Sequence, residues 1–489
     1  MPRKNNKYNI ITIGCQMNKS DSERIAGLLE KKGWQSTDNI RQASLAVVNT
    51  CGVRQSAEDR VYGLVPKIKK ENPKVKILIT GCLSERKDVK KRLGDWVDVW
   101  MPTNKISDFR FKILDLTIEK NNKLRNLSYL KIKPKYNSKI SAFVPIGNGC
   151  NNFCAYCVVP YARGREVYRP ADEIINEVKA LVKKGYKEIF LIAQNVNSYK
   201  YNTNDANRTR MTRIANNANF DVPGENPKKY ISFPRLLKLV NDIPGNFWIR
   251  FATSHPKDMS DELIKTIAKC KKVCEHIHLP VQAGDDKVLK AMNRGYSVKH
   301  YKELIGKIKK CNKSQIQSAS WRTKFQIQNP KIFIPNISIT TDVIVGFPGE
   351  TKEQFNNTRK LFSEIKFDMA YIAKYSPRPG TAAAKLRDNV SREEKKRREE
   401  ELMKILRKTA LANNKKYLGK IVEILVEGKN KKGEWYGKAR TDKVVKIHGA
   451  RNTEHGARNT EQRANLIGEF IMVKVSSVED FGLKGEIIK

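Results

Sequence analysis

Three short apolar runs, rich in β-branched residues, stand out near the beginning of the chain. They lie at 8–13, 45–48 and 75–79, and a segment with helical periodicity follows each of them. A strand that is apolar on both faces is typical of a buried parallel sheet, because a half-exposed strand alternates apolar and polar positions. The pattern therefore predicts an N-terminal α/β layer with a parallel sheet over residues 1–120.

The alternation resumes beyond a lysine- and asparagine-rich connection near residues 117–139. Strand-like runs recur at 189–192, 248–251, 276–279, 337–345 and 369–373, with helical segments such as 171–184 and 260–268 between them. This alternation predicts a partial (β/α) barrel over residues 136–390, with functional residues at the carboxyl ends of its strands. Two polar stretches, 201–229 and 313–335, interrupt the barrel. We expect surface insertions there, the first of them disordered.

A long charged helix and a small all-β module complete the chain. Ser391 and Glu394 have the spacing of a capping box, which predicts the start of a linking helix over 391–414. Strand-like runs at 421–426, 435–439, 444–447, 470–475 and 485–488 predict a small barrel over 415–489. The seven residues at 448–454 recur at 455–461, and we expect this repeat to extend a loop. The fold class is therefore a multidomain α/β protein.

Size and composition narrow the class of protein. Hydrophobic residues make up 39% of the 489 positions, which suits a soluble globular protein of two or three domains. The longest apolar runs fall short of the roughly eighteen residues that a membrane span needs. The first residues also lead into a strand-like segment and not into the apolar core of a signal peptide. We expect a cytoplasmic protein, with a monomer as the default, in which cysteines are metal or redox ligands before disulfides.

The formal net charge of +44, from 95 Lys and Arg against 51 Asp and Glu, is strongly basic. Such a balance favours a polyanionic partner, with nucleic acid first and an anionic membrane surface second. The alternative is a lysine-rich composition spread over solvated faces. Charge gives no information about sequence specificity, because contacts to phosphates do not read bases.

Three cysteines with the spacing Cys-x3-Cys-x2-Cys indicate metal chemistry. Cys150, Cys154 and Cys157 could ligate three irons of a cubic [4Fe–4S] cluster and leave the fourth iron open for chemistry. The alternatives are a zinc site, which usually needs four ligands, or three unrelated cysteines. With Tyr156 before the last cysteine, the segment resembles the signature loop of radical S-adenosylmethionine (SAM) enzymes.

A second set of three cysteines follows the three N-terminal strand runs. Cys15, Cys51 and Cys82 each come just after one run, and the carboxyl ends of parallel strands meet at one sheet edge. Taken singly, each is more typical of a small buried residue than of a ligand. Their common position predicts a shared site, again with one open iron. The remaining cysteines are expected to be packing residues: Cys270 and Cys274 within a helix, and Cys311 at the end of another.

Several motifs together resemble the methylthiotransferases of the radical-SAM class, across all three domains. The matching segments are 14–18 with Asp21 and Ser22, 49–51, 81–82, 154–165, 279–284, 342–350 and 375–381. The C-terminal barrel resembles the TRAM domain, an RNA-binding module. The insertions, the heptapeptide repeat and the Leu-Ser-Glu-Arg that follows Cys82 depart from the family pattern, whereas all six cysteines are intact.

The resemblance implies an activity and its cofactors. It implies two [4Fe–4S] clusters, an auxiliary one on Cys15, Cys51 and Cys82 and a SAM-binding one on the second trio. One SAM would methylate a sulfur on the auxiliary cluster, and a second would give the radical that activates C2 of adenosine 37. The partners would be the anticodon loop of tRNA and an external electron donor.

The motifs also favour one branch of the family. Cys-Gln-Met-Asn at 15–18 and Tyr-Ser-Pro-Arg-Pro-Gly-Thr at 375–381 favour the branch that acts on N6-isopentenyladenosine. Three alternatives stay open: N6-threonylcarbamoyladenosine, a ribosomal protein, and an RNA-binding protein without turnover.

Four further residues are candidates beside the cofactor. Tyr156 is expected near the SAM adenine, and Gly346 is expected to let SAM approach the backbone or to be an ordinary turn glycine. Arg163 and Arg165 are expected to meet RNA or the SAM carboxylate, or to be surface arginines.

Overall fold

The structure, a computed structural model, describes residues 6–108, 128–202, 230–311, 336–448 and 465–488. Residues 117–127 of the predicted connection, the first predicted insertion apart from its first two residues, the whole second insertion, and almost all of the heptapeptide repeat lie outside these ranges. Within the described ranges, no helix combines the length and the apolar character that crossing a bilayer would require.

The N-terminal domain is a five-stranded parallel sheet with the strand order β2-β1-β3-β4-β5. Its strands are β1 (Lys7–Thr12), β2 (Gln35–Ser36), β3 (Leu45–Thr50), β4 (Lys76–Gly81) and β5 (Val99–Trp100), and its helices are α1 (Gln16–Lys31), α2 (Gln55–Glu71) and α3 (Lys87–Leu93). Every residue of β3 is buried, because separate apolar clusters cover the two faces of the sheet. The predicted parallel α/β layer is confirmed.

The central domain has two three-stranded parallel sheets, β6-β9-β12 and β13-β14-β15. These strands are β6 (Ser141–Pro145), β9 (Glu188–Ile192), β12 (Trp248–Phe251), β13 (His276–His278), β14 (Ser338–Val345) and β15 (Met369–Lys374). A parallel bridge links Ile249 of β12 to Val273, which lies just before β13. The predicted partial barrel is therefore confirmed.

Helices and short antiparallel pairs complete the central domain. Its helices are α4 (Val159–Arg163), α5 (Ala171–Lys183), α6 (Phe233–Asn241), α7 (Asp261–Lys269), α8 (Asp286–Ala291), α9 (Val298–Lys310) and α10 (Lys352–Ile365). The pairs are β7 (Gly147–Asn148) with β8 (Val167–Tyr168), and β10 (Lys200–Asn202) with β11 (Tyr230–Ser232). The second pair lies at the base of the first predicted insertion.

The helix predicted around Cys270 and Cys274 is wrong. Helix α7 ends at Lys269, and Cys270 is already extended, because Val273 must pair with β12. Both cysteines are nevertheless buried, as expected of packing residues. Cys311 directly follows α9, as the sequence predicts.

The linking helix α11 (Arg392–Lys415) is capped by Ser391, whose hydroxyl accepts the Glu394 N–H at 3.2 Å. In a capping box the Glu394 carboxylate would also accept the Ser391 N–H. Here that carboxylate binds Arg397 and Arg398 instead. The closed barrel that follows has the order β16-β17-β18-β20-β19. Its strands are β16 (Ile421–Lys429), β17 (Trp435–Ala439), β18 (Val444–His448), β19 (Phe470–Glu479) and β20 (Gly482–Ile487), which confirms the predicted module.

The small barrel packs against the amino ends of the central strands. Arg250 of β12 bonds Glu188 at 2.5 Å and the carbonyl of Ala439 at 2.8 Å. Arg440 bonds Glu275, just before β13, at 2.7 Å. The opposite, carboxyl ends of the central strands therefore remain for the N-terminal domain and the candidate site.

Candidate functional site

The structure brings Cys15, Cys51 and Cys82 to one edge of the N-terminal sheet. Cys51 and Cys82 directly follow the neighbouring strands β3 and β4, and Cys15 precedes α1. A Cβ atom on Gly14 would lie 2.6 Å from the Cβ of Cys51. A Cβ on Gly52 would lie 3.3 Å from the Cβ of Cys82. A side chain at Gly14 would clash with Cys51, whereas one at Gly52 would require Cys82 to shift by a few tenths of an ångström.

Gly81 lets the chain turn from β4 into Cys82. Its φ is +85°, and an added Cβ would lie 2.2 Å from the carbonyl oxygen of Thr50.

We expect Gly81→Ala to lower the free energy of unfolding by about 2 kcal/mol or more, through backbone strain and overpacking. Urea denaturation measures it. Gly63→Ala is the matched control, since that helical glycine faces open space and the change should stabilise α2 by about 0.5–1 kcal/mol. Equal stability of Gly81→Ala and wild type would contradict this reading.

Two buried asparagines set the spacing of the strand ends. The Asn18 amide donates to the carbonyls of Ile13 and Thr50, at 3.0 and 2.9 Å. The Asn49 amide donates to the Asn18 carbonyl at 2.8 Å and to the Ser22 hydroxyl at 3.0 Å. These bonds tie the ends of β1 and β3 to the first turn of α1 and fix Cys15 relative to Cys51.

The second trio lies on a tight loop between β7 and α4. The Cys150 N–H donates to the Gly164 carbonyl at 3.2 Å, and the Cys157 N–H donates to the Cys154 carbonyl at 2.9 Å. The Ala155 carbonyl accepts the N–H of Ala383 at 2.8 Å. The loop is therefore held both by its own backbone and by the segment beyond β15.

The two trios face each other across the domain boundary. A Cβ on Gly52, next to Cys51, would lie 3.3 Å from Cγ2 of Val158, next to Cys157. Burial raises the pKa of Cys157 to about 12, and smaller contributions come from Cys154, Cys150 and also Cys82 of the other trio. The Cys157 thiol therefore lies close enough to Cys82 of the other trio for their charges to interact.

Arg163 lies inside the protein, at the domain boundary. Its guanidinium binds the Asp21 carboxylate at 2.6 Å and the side-chain oxygens of Asn18 and Asn148 at 3.1 Å each. The expectation of a surface arginine is wrong, because α4 ends against α1. The carboxylate that Arg163 meets belongs to Asp21, so it joins the two domains instead of facing a ligand.

Arg378 makes a second connection between these domains. It donates to the Gln55 side chain at 2.8 Å and to the Val53 carbonyl at 3.2 Å, and it pairs with Glu58 at 3.3 Å. Val53 belongs to the turn that follows Cys51. The 375–381 motif thus helps to fix the position of the first trio against the central domain.

Comparisons with known proteins agree with this architecture. The description "Radical SAM superfamily" matches residues 144–362, "Uncharacterized protein family UPF0004" matches 7–101, and "TRAM domain" matches 415–488. The tRNA-2-methylthio-N(6)-dimethylallyladenosine synthase of Clostridium botulinum is 38% identical over 501 residues, covering 99% of this chain and 97% of the relative. The chain belongs to the family of radical-SAM tRNA methylthiotransferases.

A second relative carries the same name. The enzyme of that name from Thermoanaerobacter pseudethanolicus is 39% identical over 500 residues, with 99% of this chain and 93% of the relative covered. Among solved structures, a radical S-adenosylmethionine methyltransferase from Kitasatospora setae matches with a TM-score of 0.45 and 12% identity, covering 78% of this chain and 77% of that one. As a member of the methylthiotransferase family, the protein uses [4Fe–4S] clusters and SAM as cofactors.

The thiols of this methylthiotransferase fit iron–sulfur ligation. Burial raises the pKa of Cys150, and burial with the neighbouring thiols raises that of Cys51 to about 11, whereas Cys15 is exposed at the sheet edge. Iron binding deprotonates such thiols. Backbone N–H groups already point at Cys51, Cys150 and Cys157, and sulfurs of clusters commonly accept such bonds. Within the described ranges, no three Cys, His, Asp or Glu side chains are close enough together to bind a single metal ion. A cubic cluster does not require this, because each thiolate binds a different iron.

Unpaired polar atoms at the carboxyl ends of the barrel strands fit a polar cofactor such as SAM. Buried atoms without a hydrogen-bond partner include Gln194 Oε1 after β9, His255 Nε2 after β12 and Gln282 Oε1 after β13. Buried polar atoms are normally paired, so these three atoms are available to bind a ligand. Burial and Arg294 lower the pKa of His255 to about 2, and its Nδ1 accepts the Lys257 N–H. The neutral ring therefore presents Nε2–H as a donor.

The remaining predicted residues are Tyr156, Gly346 and Arg165. Tyr156 packs against the buried cluster that includes Phe347 and Tyr375. Gly346 has a φ of +69°, and an added Cβ would lie 2.3 Å from Cγ of Lys395, which supports the turn-glycine alternative. Arg165 is exposed, with its guanidinium 6.0 Å from the centre of the Phe153 ring.

Sequence reasoning missed several of these residues. Asn18 and Asp21 stand within a recognised motif, but their bonds depend on the docked position of Arg163. Gln282 stands in the matching segment 279–284, but its unpaired side-chain oxygen, like the unpaired ring nitrogen of His255, is visible only in the structure. Arg294 bonds the Cys154 sulfur from 140 positions along the chain, and no local pattern indicates such a contact.

Proposed function

We propose that this methylthiotransferase installs the 2-methylthio group at C2 of N6-isopentenyladenosine 37 in the anticodon loop of tRNA. The Cys-Gln-Met-Asn form at 15–18 and the names of the full-length relatives support this substrate. The TRAM domain and the net charge of +44 support an RNA partner, whose phosphates would give salt-dependent affinity.

The observation that carries the proposal is the pair of facing thiol trios. We assign Cys150, Cys154 and Cys157 to the SAM-binding cluster, and Cys15, Cys51 and Cys82 to the auxiliary cluster. When bound, the clusters and SAM supply the reactivity needed to replace an inert aromatic C–H by C–S–CH3. An adenine C2–H is beyond side-chain acid–base chemistry.

The protein's own task is positioning and exclusion of water. Arg163 with Asp21, and Arg378 with Glu58, hold the two trios at one chamber. The unpaired His255 and Gln282 atoms would bind polar groups of SAM. Tyr156 would pack beside its adenine, and the exposed Arg165 would meet an RNA phosphate at the rim.

The wider setting follows from the same proposal. The enzyme would work in the cytoplasm as a monomer, with electrons from an external donor. We place its domains at 1–120, 136–390 and 415–489, with 391–414 as the linking helix.

Nucleoside mass spectrometry of tRNA tests the substrate. Cells lacking this protein should lose 2-methylthio-N6-isopentenyladenosine and accumulate N6-isopentenyladenosine. Wild type should restore the modification, and Cys15→Ala should not. Cys311→Ala is the matched control, because Cys311 lies outside both trios beside the Ile264 carbonyl, and it should restore modification fully.

Other outcomes would redirect the proposal. Loss of 2-methylthio-N6-threonylcarbamoyladenosine, with the isopentenyl form unchanged, would overturn the substrate. Unchanged tRNA with a lost methylthio group on a ribosomal protein would overturn the RNA partner.

A further inference from the structure

The segment Met292–Arg294, which directly follows α8, is hydrogen-bonded to the loop that carries Cys150, Cys154 and Cys157. The Met292 carbonyl accepts the Ala155 N–H at 2.9 Å. The Asn293 side-chain amide donates to the carbonyls of Asn152 and Phe153, at 3.2 and 3.0 Å. Asn293 has a φ of +57°, a conformation that asparagine tolerates better than most residues. The backbone on both sides of Cys154 is therefore fixed by this segment.

The Arg294 side chain reaches the sulfur itself. Its Nη1 lies 3.3 Å from Cys154 Sγ, as a donor to that sulfur. Its Nε donates to the Tyr296 hydroxyl at 3.1 Å, and its Nη2 donates to the Pro280 carbonyl at 3.0 Å. Only 5% of Arg294 is exposed. Hydrogen bonds to Tyr296 and Pro280 thus hold two of the guanidinium nitrogens in place, and the third nitrogen is directed at the Cys154 sulfur.

Apart from the Cys154 sulfur, the groups that accept hydrogen bonds from Arg294 are uncharged, namely the Tyr296 hydroxyl and the Pro280 carbonyl. A buried charge acts more strongly than an exposed one, because the effective dielectric constant is lower.

Hydrogen bonds to the sulfurs and nearby charge set the reduction potential of an iron–sulfur cluster. Reduction adds one electron to the cluster, and the external donor is oxidised by one electron. No bond forms or breaks in this step. A cation that bonds a ligand sulfur stabilises the more negative, reduced state.

We propose that Arg294 is a positioning residue that raises the reduction potential of the cluster on Cys150, Cys154 and Cys157, through its bond to the Cys154 sulfur. The inference rests on the proposed assignment of that trio.

A potentiometric titration followed by electron paramagnetic resonance tests the inference. The parent protein is the Cys15/Cys51/Cys82 triple alanine, in which only the cluster of interest remains. Arg294→Gln should keep about four irons and lower the equilibrium constant for reduction tenfold or more, a midpoint shift of about 59 mV for one electron. Arg294→Lys keeps the positive charge but lacks the branched guanidinium, and it should lower the midpoint potential by less than Arg294→Gln does. Lys290→Gln removes an exposed charge nearby and should leave the midpoint unchanged.

Each outcome has a distinct meaning. A parent that binds no cluster would overturn the cysteine assignment itself. A fully loaded Arg294→Gln with the parent's midpoint would overturn this inference alone. If Arg294→Gln binds no cluster, the measurement on Arg294→Lys decides between the two roles. A midpoint potential equal to that of the parent, or failure of Arg294→Lys to bind the cluster, would show that Arg294 only supports the structure and would overturn the inference.

Discussion

Cys154→Ala is expected to abolish the cleavage of SAM, whereas Cys15→Ala is expected to leave it intact and to block only the transfer of the methylthio group. Each cysteine belongs to a different trio, and the trios occupy different domains. A missing thiolate exposes a further iron and labilises the cluster that it ligates. Anaerobic reconstitution with SAM and dithionite, followed by quantification of 5′-deoxyadenosine, measures the difference.

Cys311→Ala should behave as wild type in both assays, since that cysteine is a packing residue at the end of α9. Full methylthiolation by Cys15→Ala would remove the auxiliary cluster from the account. Loss of SAM cleavage in both variants would mean that the two sites do not work independently.

Arg163→Met is expected to lower the free energy of unfolding by about 3–5 kcal/mol, because it leaves the buried Asp21 carboxylate without its partner. The double variant Asp21→Asn/Arg163→Met should recover part of this loss, since no charge is then buried alone. Urea denaturation of the metal-free proteins measures both. The change should also impair methylthiolation more than SAM cleavage, because it loosens one trio relative to the other.

Arg397→Ala is the control for Arg163→Met, since Arg397 forms a half-exposed pair with Glu394 on α11. Pairs of this kind contribute about 0.2–1 kcal/mol. An Arg163 variant that is as stable as the Arg397 variant would show that the domain boundary does not depend on this buried pair.

The sequence predicted the framework because its signals are local. β3 is apolar on both faces, and this continuous pattern is readable without knowledge of the fold. The convergence of Cys51 and Cys82 follows from the same reasoning, since parallel strands end at one edge of a sheet. The cap at Ser391 is equally local, as it involves residues three positions apart.

The failures of prediction depend on long-range contacts. Arg163 is close to its trio in sequence, yet its partner Asp21 lies 142 positions away in another domain. The extended backbone at Cys270 results from pairing with β12, which no helical propensity reveals. The lack of space for a side chain at Gly346 likewise depends on how Lys395 of α11 packs against it.

The iron and acid-labile sulfide content of anaerobically prepared protein tests the central claim most directly. Wild type should contain about eight irons and eight sulfides. Alanine at Cys150, Cys154 and Cys157 together, or at Cys15, Cys51 and Cys82 together, should leave about four of each. Retention of all eight irons by either triple variant, or loss of all eight in either, would contradict two independent clusters held by these two trios.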